Sequence, residues 1–207
     1  VTRRAVDHVM VVVADLDRAA ARILADHGLD SVAGGRHTGH GTANRIVPLG
    51  ASYLELMGVV DEDEAAGSPM GRWALGHRRD DPVPAGLCLR TDDIDAEAAR
   101  LGLEPVAMTR TRPDGAILSW RLVGVAEMFA GEGLPFFIQW DDPGLHPGRT
   151  PITHRVAASG VEHVELRGDL GALRRRVGTD DLPLTIVAGP PGITATIGTT
   201  AGPIVIG

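Results

Sequence analysis

A whole structural unit occurs twice within the first 142 residues. Val11-Val12-Val13-Ala14-Asp15-Leu16-Asp17 is matched by Leu87-Cys88-Leu89-Arg90-Thr91-Asp92-Asp93-Ile94-Asp95, with Asp93 standing 78 residues after Asp15. Each of these two aspartates can accept a hydrogen bond from the unpaired N–H groups of a first helical turn, so each is placed to cap a helix. Leu16, Ala19, Ala20, Ile23 and Leu24 then repeat on one helical face, and Gly28 supplies the stop. Ile94 to Leu101 followed by Gly102 repeats that arrangement. Short apolar runs follow each helix, at Thr42 to Pro48 and Ser52 to Met57 in the first copy. In the second they lie at Val106 to Thr111, Ile117 to Val123 and Phe136 to Trp140. The order in both is β-α-β-β-β, and a repeated supersecondary unit constrains architecture more than any single motif.

A turn-rich stretch from Asp141 to Gly148 leads to a shorter third copy: a strand at Val161 to Leu166, a helix at Asp169 to Val177, and brief strands at Leu184 to Val187, Ile193 to Ile197 and Ile204 to Ile206. The expected fold is α+β, with βαβββ modules at residues 5–60 and 85–142. A connector at 61–84, a linker at 143–159 and a shortened third module at 160–207 complete it. In the connector, Asp61 to Glu64 reads as a solvated acidic face or a helix start, and Ser68-Pro69 opens a short helix through Trp73 to Leu75. Pro113, Asp114 and Gly115 supply the hairpin turn of the second module.

The net charge of −7 and the dispersed basic residues argue against nucleic acid and anionic membrane as partners. No apolar run approaches the length of a membrane-spanning helix, and the N-terminus lacks the apolar core of a signal peptide. The single cysteine, Cys88, fits a reducing, cytoplasmic setting. There is no P-loop and no dinucleotide glycine fingerprint, so no nucleotide cofactor is expected.

Strand side chains alternate faces, which puts His8 in phase with Met10 and Val12, and Glu55 in phase with Tyr53 and Met57. An ionisable group in the middle of an apolar strand is costly unless something pairs with it. One imidazole and one carboxylate suit Zn²⁺, Mn²⁺, Fe²⁺ or Ni²⁺. Three readings of the pair stay open: metal ligands, a polar pocket, or a hydrogen-bonded core pair. Gln139 is a candidate third ligand, with His146 or His163 beyond it. His37 and His40 lie in the glycine-rich connection Gly34 to Gly41, where backbone N–H groups and imidazoles can meet a ligand. Asn44 is in phase with Thr42 and can bond a carbonyl. Arg121 is the candidate for binding a carboxylate or phosphate. Phe137 shares a face with Gln139 and is expected to line the cup, whereas Trp120, Trp140, Phe136 and Ile138 are expected in the core.

These residues resemble a known group. Paired βαβββ modules with histidine in the first strand and glutamate in the fourth are similar to the vicinal oxygen chelate superfamily. Asp7-His8-Val9, Gly34-Gly35-Arg36-His37, Gly41 to Arg45 and Tyr53-Leu54-Glu55-Leu56 resemble its glyoxalase-like domain family. Ser119 to Leu122, Leu134 to Trp140 and His146-Pro147 extend the likeness. The resemblance implies cupped mixed sheets with helices outside and a divalent metal in the cup. It places His8 and Glu55 at ligand positions of the first module. The second module departs, with Gly86 at the first-strand position and Gln139 at the fourth.

The expected function is a small-molecule enzyme of glyoxalase or dioxygenase type. A metal held by His8, Glu55 and Gln139 would chelate two neighbouring substrate oxygens. Glu55 is a ligand or the general base, and His37, His40, Asn44, Arg121, Phe137 and His146 contact substrate. The alternative is a metal-free binding protein that sequesters a small molecule. A homodimer is compatible with either.

Overall fold

The computed structural model describes residues 3–111, 115–178 and 182–207. The first module comprises β1 (Arg4–Val13), α1 (Leu16–His27), β2 (Val32–His37), β3 (Thr42–Pro48) and β4 (Tyr53–Val59). The connector carries α2 (Glu62–Ala66) and α3 (Pro69–His77). The second module comprises β5 (Pro84–Thr91), α4 (Ile94–Leu101), β6 (Val106–Thr111), β7 (Ile117–Val123), a single turn α5 (Val125–Glu127) and β8 (Phe136–Trp140). A last unit contains β9 (Ala158–Gly168), α6 (Leu170–Val177), β10 (Leu184–Ala188), β11 (Gly192–Thr199) and β12 (Ile204–Ile206).

Helix boundaries fall where the capping residues put them. Asp15 accepts from the backbone N–H of Arg18, and Asp93 from that of Ala96. Gly28 and Gly102 both end their helices in the left-handed conformation, at φ 70° and φ 67°. Asp61 and Ser68 cap the two connector helices in the same manner. Of the proposed second-module hairpin turn, Pro113 and Asp114 lie outside the described residues, and Gly115 has φ 86°.

The two modules share one eight-stranded sheet in the order β2-β3-β4-β1-β5-β8-β7-β6. Within each half the first strand runs parallel to the fourth, and the halves join along the antiparallel β1–β5 seam. Alternation in the central strands splits the apolar residues between two cores. Val9, Val11, Val13, Leu54, Leu56, Leu87 and Leu89 face outward beneath the helices. Met10, Val12, Met57, Cys88, Leu122 and Ile138 face the concave side. The sheet curls until its outer strands approach each other: a Cβ built at Gly35 of β2 would lie 3.7 Å from the carbonyl oxygen of Thr111 in β6. Helix α3 brings Met70 and Trp73 to the concave core, so the connector forms part of its wall.

The last unit keeps the β-α-β-β-β order along the chain but pairs differently. Its sheet runs β10-β9-β11-β12, so its first strand lies inside rather than beside its fourth. Strand β11 packs on β5 from the outer side, and Ala195, Ile197 and Ile206 join the outer core. His163 is bonded there to Thr185 Oγ1 at 3.0 Å, away from the cup. Among the described residues no helix is long and apolar enough to cross a membrane.

Candidate functional site

Strict alternation would turn Asp7 away from His8. The register between β1 and β5 slips between Val6 and His8, and this bulge brings the two side chains together. Asp7 Oδ1 accepts from His8 Nδ1 at 2.8 Å. Asp7 Oδ2 accepts from Trp140 Nε1 and from His146 Nε2, both at 3.0 Å. Burial alone would raise the Asp7 carboxyl, but the hydrogen bonds and charges of His146 and His8 outweigh it. They hold the carboxyl well below the usual carboxylate range. His146 Nδ1 accepts from the backbone N–H of Gly148, so the proton of its neutral ring sits on Nε2 and points at Asp7. By the same reasoning the neutral His8 ring carries its proton on Nδ1, which leaves the Nε2 lone pair for the cup.

Glu55 lies opposite. Its Oε2 is 3.6 Å from His8 Nε2, and its Oε1 is 3.8 Å from His37 Nε2. His37 Nδ1 bonds Thr42 Oγ1 at 2.8 Å, and that hydroxyl is directed at Met70 Sδ. This directs the His37 Nε2 lone pair inward too. Burial lowers the His37 pKa; Glu55 opposes the shift, while Arg110 and His40 add to it. The ring is therefore an acceptor near neutral pH. Asn44 Nδ2 donates to Glu55 Oε1 and lies 3.4 Å from His37 Nε2. Asn44 Oδ1 accepts in turn from Arg110 Nη1 at 2.8 Å. Tyr53 stacks on His8 with ring centroids 4.5 Å apart. Burial, then the charges of Asp7 and Glu55, push its phenol well above the ordinary value.

These groups line a cavity of about 560 Å³, its open mouth included. The chain has only three tryptophans, one tyrosine and three phenylalanines, yet Tyr53, Trp120, Phe129, Phe136 and Trp140 all line it. His8, His37, Asn44 and Glu55 meet there as expected. His40 does not reach the lining, and its buried Nδ1 has no hydrogen-bond partner among the described residues. His146 is buried behind the wall, held by Asp7 and Gly148.

Three expected site residues face the other way. Cys88 pairs with Phe136 as His8 pairs with Tyr53. Phe136, Ile138 and Trp140 therefore take the concave positions of Tyr53, Glu55 and Met57, and Phe137 and Gln139 fall between them on the outer face. Phe137 is fully buried in the outer core. Gln139 accepts from the backbone N–H of Ile94 and from Arg121, and donates to the carbonyl of Asp92, so it braces the start of α4. Arg121 pairs there with Asp95. Phe136, Ile138 and Trp140 are buried in the concave core as expected, with Trp120 packed against it, and all four also line the cup.

The second module thus offers Cys88 and Ile138 where the first offers His8 and Glu55. Cys88, and not Gly86 as counting back from Asp93 suggests, therefore holds the first-strand position; a Cβ at Gly86 would lie 3.1 Å from the sulfurs of Met10 and Met128. Asp7, His8 and Cys88 bring donor atoms within 4.8 Å of one another. Their chemistry does not favour a metal cage. Asp7 is occupied by three N–H donors, and burial, then the charges of Asp7 and Glu55, push the Cys88 thiol well up, which keeps it protonated. Glu55 stands between His8 Nε2 and His37 Nε2, and these three groups line the cavity. Metal bonds of about 2.1 Å set adjacent donors roughly 3 to 3.5 Å apart; Glu55 lies 3.6 Å and 3.8 Å from the two rings, and the three donors do not all come within 4.8 Å of one another. A carboxylate behind the far imidazole nitrogen is also the usual support of a metal-binding histidine.

Glycine at 34 is required by this geometry, because a Cβ there would lie 2.1 Å from Asn44 Oδ1. Gly34→Ala should cost about 1–3 kcal/mol in urea unfolding by forcing Asn44 off Glu55 or Arg110. In an Asn44→Ala background the same change should cost much less. Equal costs in the two backgrounds would show that the clash is not the reason.

The glyoxalase-like domain model matches residues 6–176. A hypothetical protein from Staphylococcus aureus aligns over 99% of both chains at 16% identity with a TM-score of 0.66, which shows a shared fold. The methylmalonyl-CoA epimerase of Mycobacterium tuberculosis aligns over 68% of this chain and 90% of its own, at 24% identity and a TM-score of 0.47. A Streptomyces coelicolor methylmalonyl-CoA epimerase variant, in complex with 2-nitronate-propionyl-CoA, aligns over 67% and 98% at 19% identity, also with 0.47. No curated protein sequence matches the chain. With the family model covering both modules and the start of the last unit, the chain belongs to the glyoxalase-like domain family.

Proposed function

We propose that the protein is a small-molecule enzyme whose cup binds a divalent cation through His8 Nε2, Glu55 and His37 Nε2, and a substrate with two neighbouring oxygens. One observation carries this reading: His8 Nε2 stands 3.6 Å from Glu55 Oε2 and His37 Nε2 stands 3.8 Å from Glu55 Oε1, with a carboxylate behind the first ring and a hydroxyl behind the second. Such a cluster calls for positive charge. Zn²⁺, Mn²⁺, Fe²⁺ or Ni²⁺ each accept these donors, and such an ion would supply Lewis-acid stabilisation of negative charge on substrate oxygens.

The protein's own residues do the rest. Asp7 holds the His8 tautomer. Asn44 fixes Glu55 by one oxygen and leaves the other toward the cavity, where it either joins the cation or, left uncoordinated, takes a proton from carbon next to a carbonyl. The aromatic and methionine walls exclude water and strengthen these interactions.

Titration of the metal-stripped protein with each ion tests the assignment. One site per chain is expected, with affinity at least about 100-fold weaker in His8→Ala and unchanged in Cys88→Ala. Equal affinity in His8→Ala, or loss in Cys88→Ala, rejects it. Catalysis is read separately, as Glu55-dependent exchange of substrate C–H for deuterium.

The aromatic lining also favours a second reading, a binding protein that stacks and sequesters a flat ligand. Tight binding of a compound that is recovered unchanged, with no metal needed, would select it.

A further inference from the structure

The sequence points to Arg121 as the guanidinium that would meet a substrate, and the structure turns Arg121 outward. Another arginine takes its place. Arg110 reaches in from β6, the outermost strand of the second module, and lines the same cavity as His8 and Glu55. It is held on one side only. Its Nη1 donates to Asn44 Oδ1 at 2.8 Å. Its Nε is buried with no hydrogen-bond partner, and no acceptor for Nη2 occurs among the described residues. Buried unpaired donors are uncommon, and on a charged group they are costly.

The surroundings are shaped to hold this side chain at the mouth. Gly34 leaves room for Asn44 Oδ1, and at Gly35, whose φ of 146° favours glycine, a built Cβ would lie 3.5 Å from Arg110 Cδ. Among the described residues, no competing carboxylate lies on the open side. Glu55 is bonded to the far end of Asn44, and Asp7 lies behind His8. His37 is kept neutral, in part by Arg110 itself. The remaining lining is largely apolar: Met108, Trp120, Leu122, Val125 and Phe129. In such a setting a guanidinium with one side unpaired is a receptor for an anion.

We propose that Arg110 is the specificity-determining residue of the cup, and that the substrate is a small organic acid whose carboxylate pairs with it while its neighbouring oxygens face His8 and Glu55. The inference rests on the reading of the cup as a small-molecule site and adds the charge of the molecule it takes. Asn44 links the two ends. Through its carbonyl it orients Arg110, and through its amide it orients Glu55, so anion binding and proton transfer share one positioning residue.

The test compares two compounds of the same carbon skeleton, 2-oxobutyrate and 1-hydroxy-2-butanone. Binding is followed by tryptophan fluorescence and by NMR line shifts, on the full chain, with and without added Zn²⁺. The acid should bind at least about ten-fold more tightly than the neutral ketol, as expected for one charge-assisted hydrogen-bond pair. Arg110→Gln should erase that preference, weakening the acid at least about ten-fold more than the ketol. Should the glutamine variant misfold, Arg110→Lys serves: a single ammonium cannot hold Asn44 and the acid in a fork, so the preference should shrink. Equal affinities in the wild-type protein, a preference that survives Arg110→Gln, or no binding of either compound overturns the proposal. Metal titration separates the two inferences. Acid preference without metal binding would leave Arg110's role standing and remove the chelate; metal binding without acid preference would do the reverse.

Discussion

Asp7→Asn is expected to destabilise the fold by about 3 kcal/mol and to weaken metal binding at least ten-fold. The carboxylate has three N–H donors around it, from His8, His146 and Trp140. Asparagine must turn an NH₂ group toward one side. The Trp140 indole can only donate, and His146 is fixed as a donor by the N–H of Gly148. The amide nitrogen therefore turns toward His8. That ring must then accept at Nδ1 and carry its proton on Nε2, aimed at Glu55, where a cation would sit. A merely structural role for Asp7 predicts lost stability with normal metal affinity in the folded fraction. ¹⁵N chemical shifts of the His8 ring read the tautomer directly.

The same carboxylate gives the expected acid behaviour its sign. Its folded pKa is held below the unfolded value, so its contribution is complete above the unfolded pKa, about 4. It is lost as pH falls from there through the folded value. The stability gap between wild type and Asp7→Asn should therefore narrow as pH drops below about 4 in urea unfolding series. A gap that stays constant down to the acid limb would assign the cost to packing alone.

Much of the architecture was legible because capping is local chemistry. Asp15 with Gly28 and Asp93 with Gly102 mark two helices at equal places in two modules, and the structure keeps all four roles. The phase of His8 with Met10 and of Glu55 with Tyr53 was legible for the same reason. What escaped depended on register. Asp7 reaches His8 only through a bulge defined by pairing with β5, 80 residues away along the chain, and alternation read from β1 alone places it on the wrong face. In β8, Phe136, Phe137, Ile138 and Trp140 are all buried, so the strand has no exposed face from which to count. Matching Gln139 to Glu55 as the polar residue of its strand then shifted every assignment by one, which inverts the faces. A usable signal was present. Setting Phe136 against Tyr53 aligns an aromatic with an aromatic and puts Trp140 opposite Met57.

The inverted strand supplies the second large effect. Phe137→Ala should cost about 3–5 kcal/mol, the range for emptying a large buried ring position, while leaving the cup unchanged. The ring is fully buried on the outer face. The guanidinium carbons of Arg4 and Arg100 lie 5.6 Å from its centroid, and both arginines are paired with the buried Glu97. Removing the ring opens a void under that charged cluster and takes away its cation–π support, so relaxation around it is restricted. Metal affinity and the preference for 2-oxobutyrate should nonetheless match wild type, because the backbone of β8 separates this core from the cavity. Phe136→Ala, one residue earlier, should behave in the opposite sense. Its ring meets His8 edge-on at 5.9 Å and lines the cavity, so its loss should change ligand binding at a smaller cost in stability. If the two substitutions exchanged these roles, β8 would be turned over and Gln139 would return to the cup.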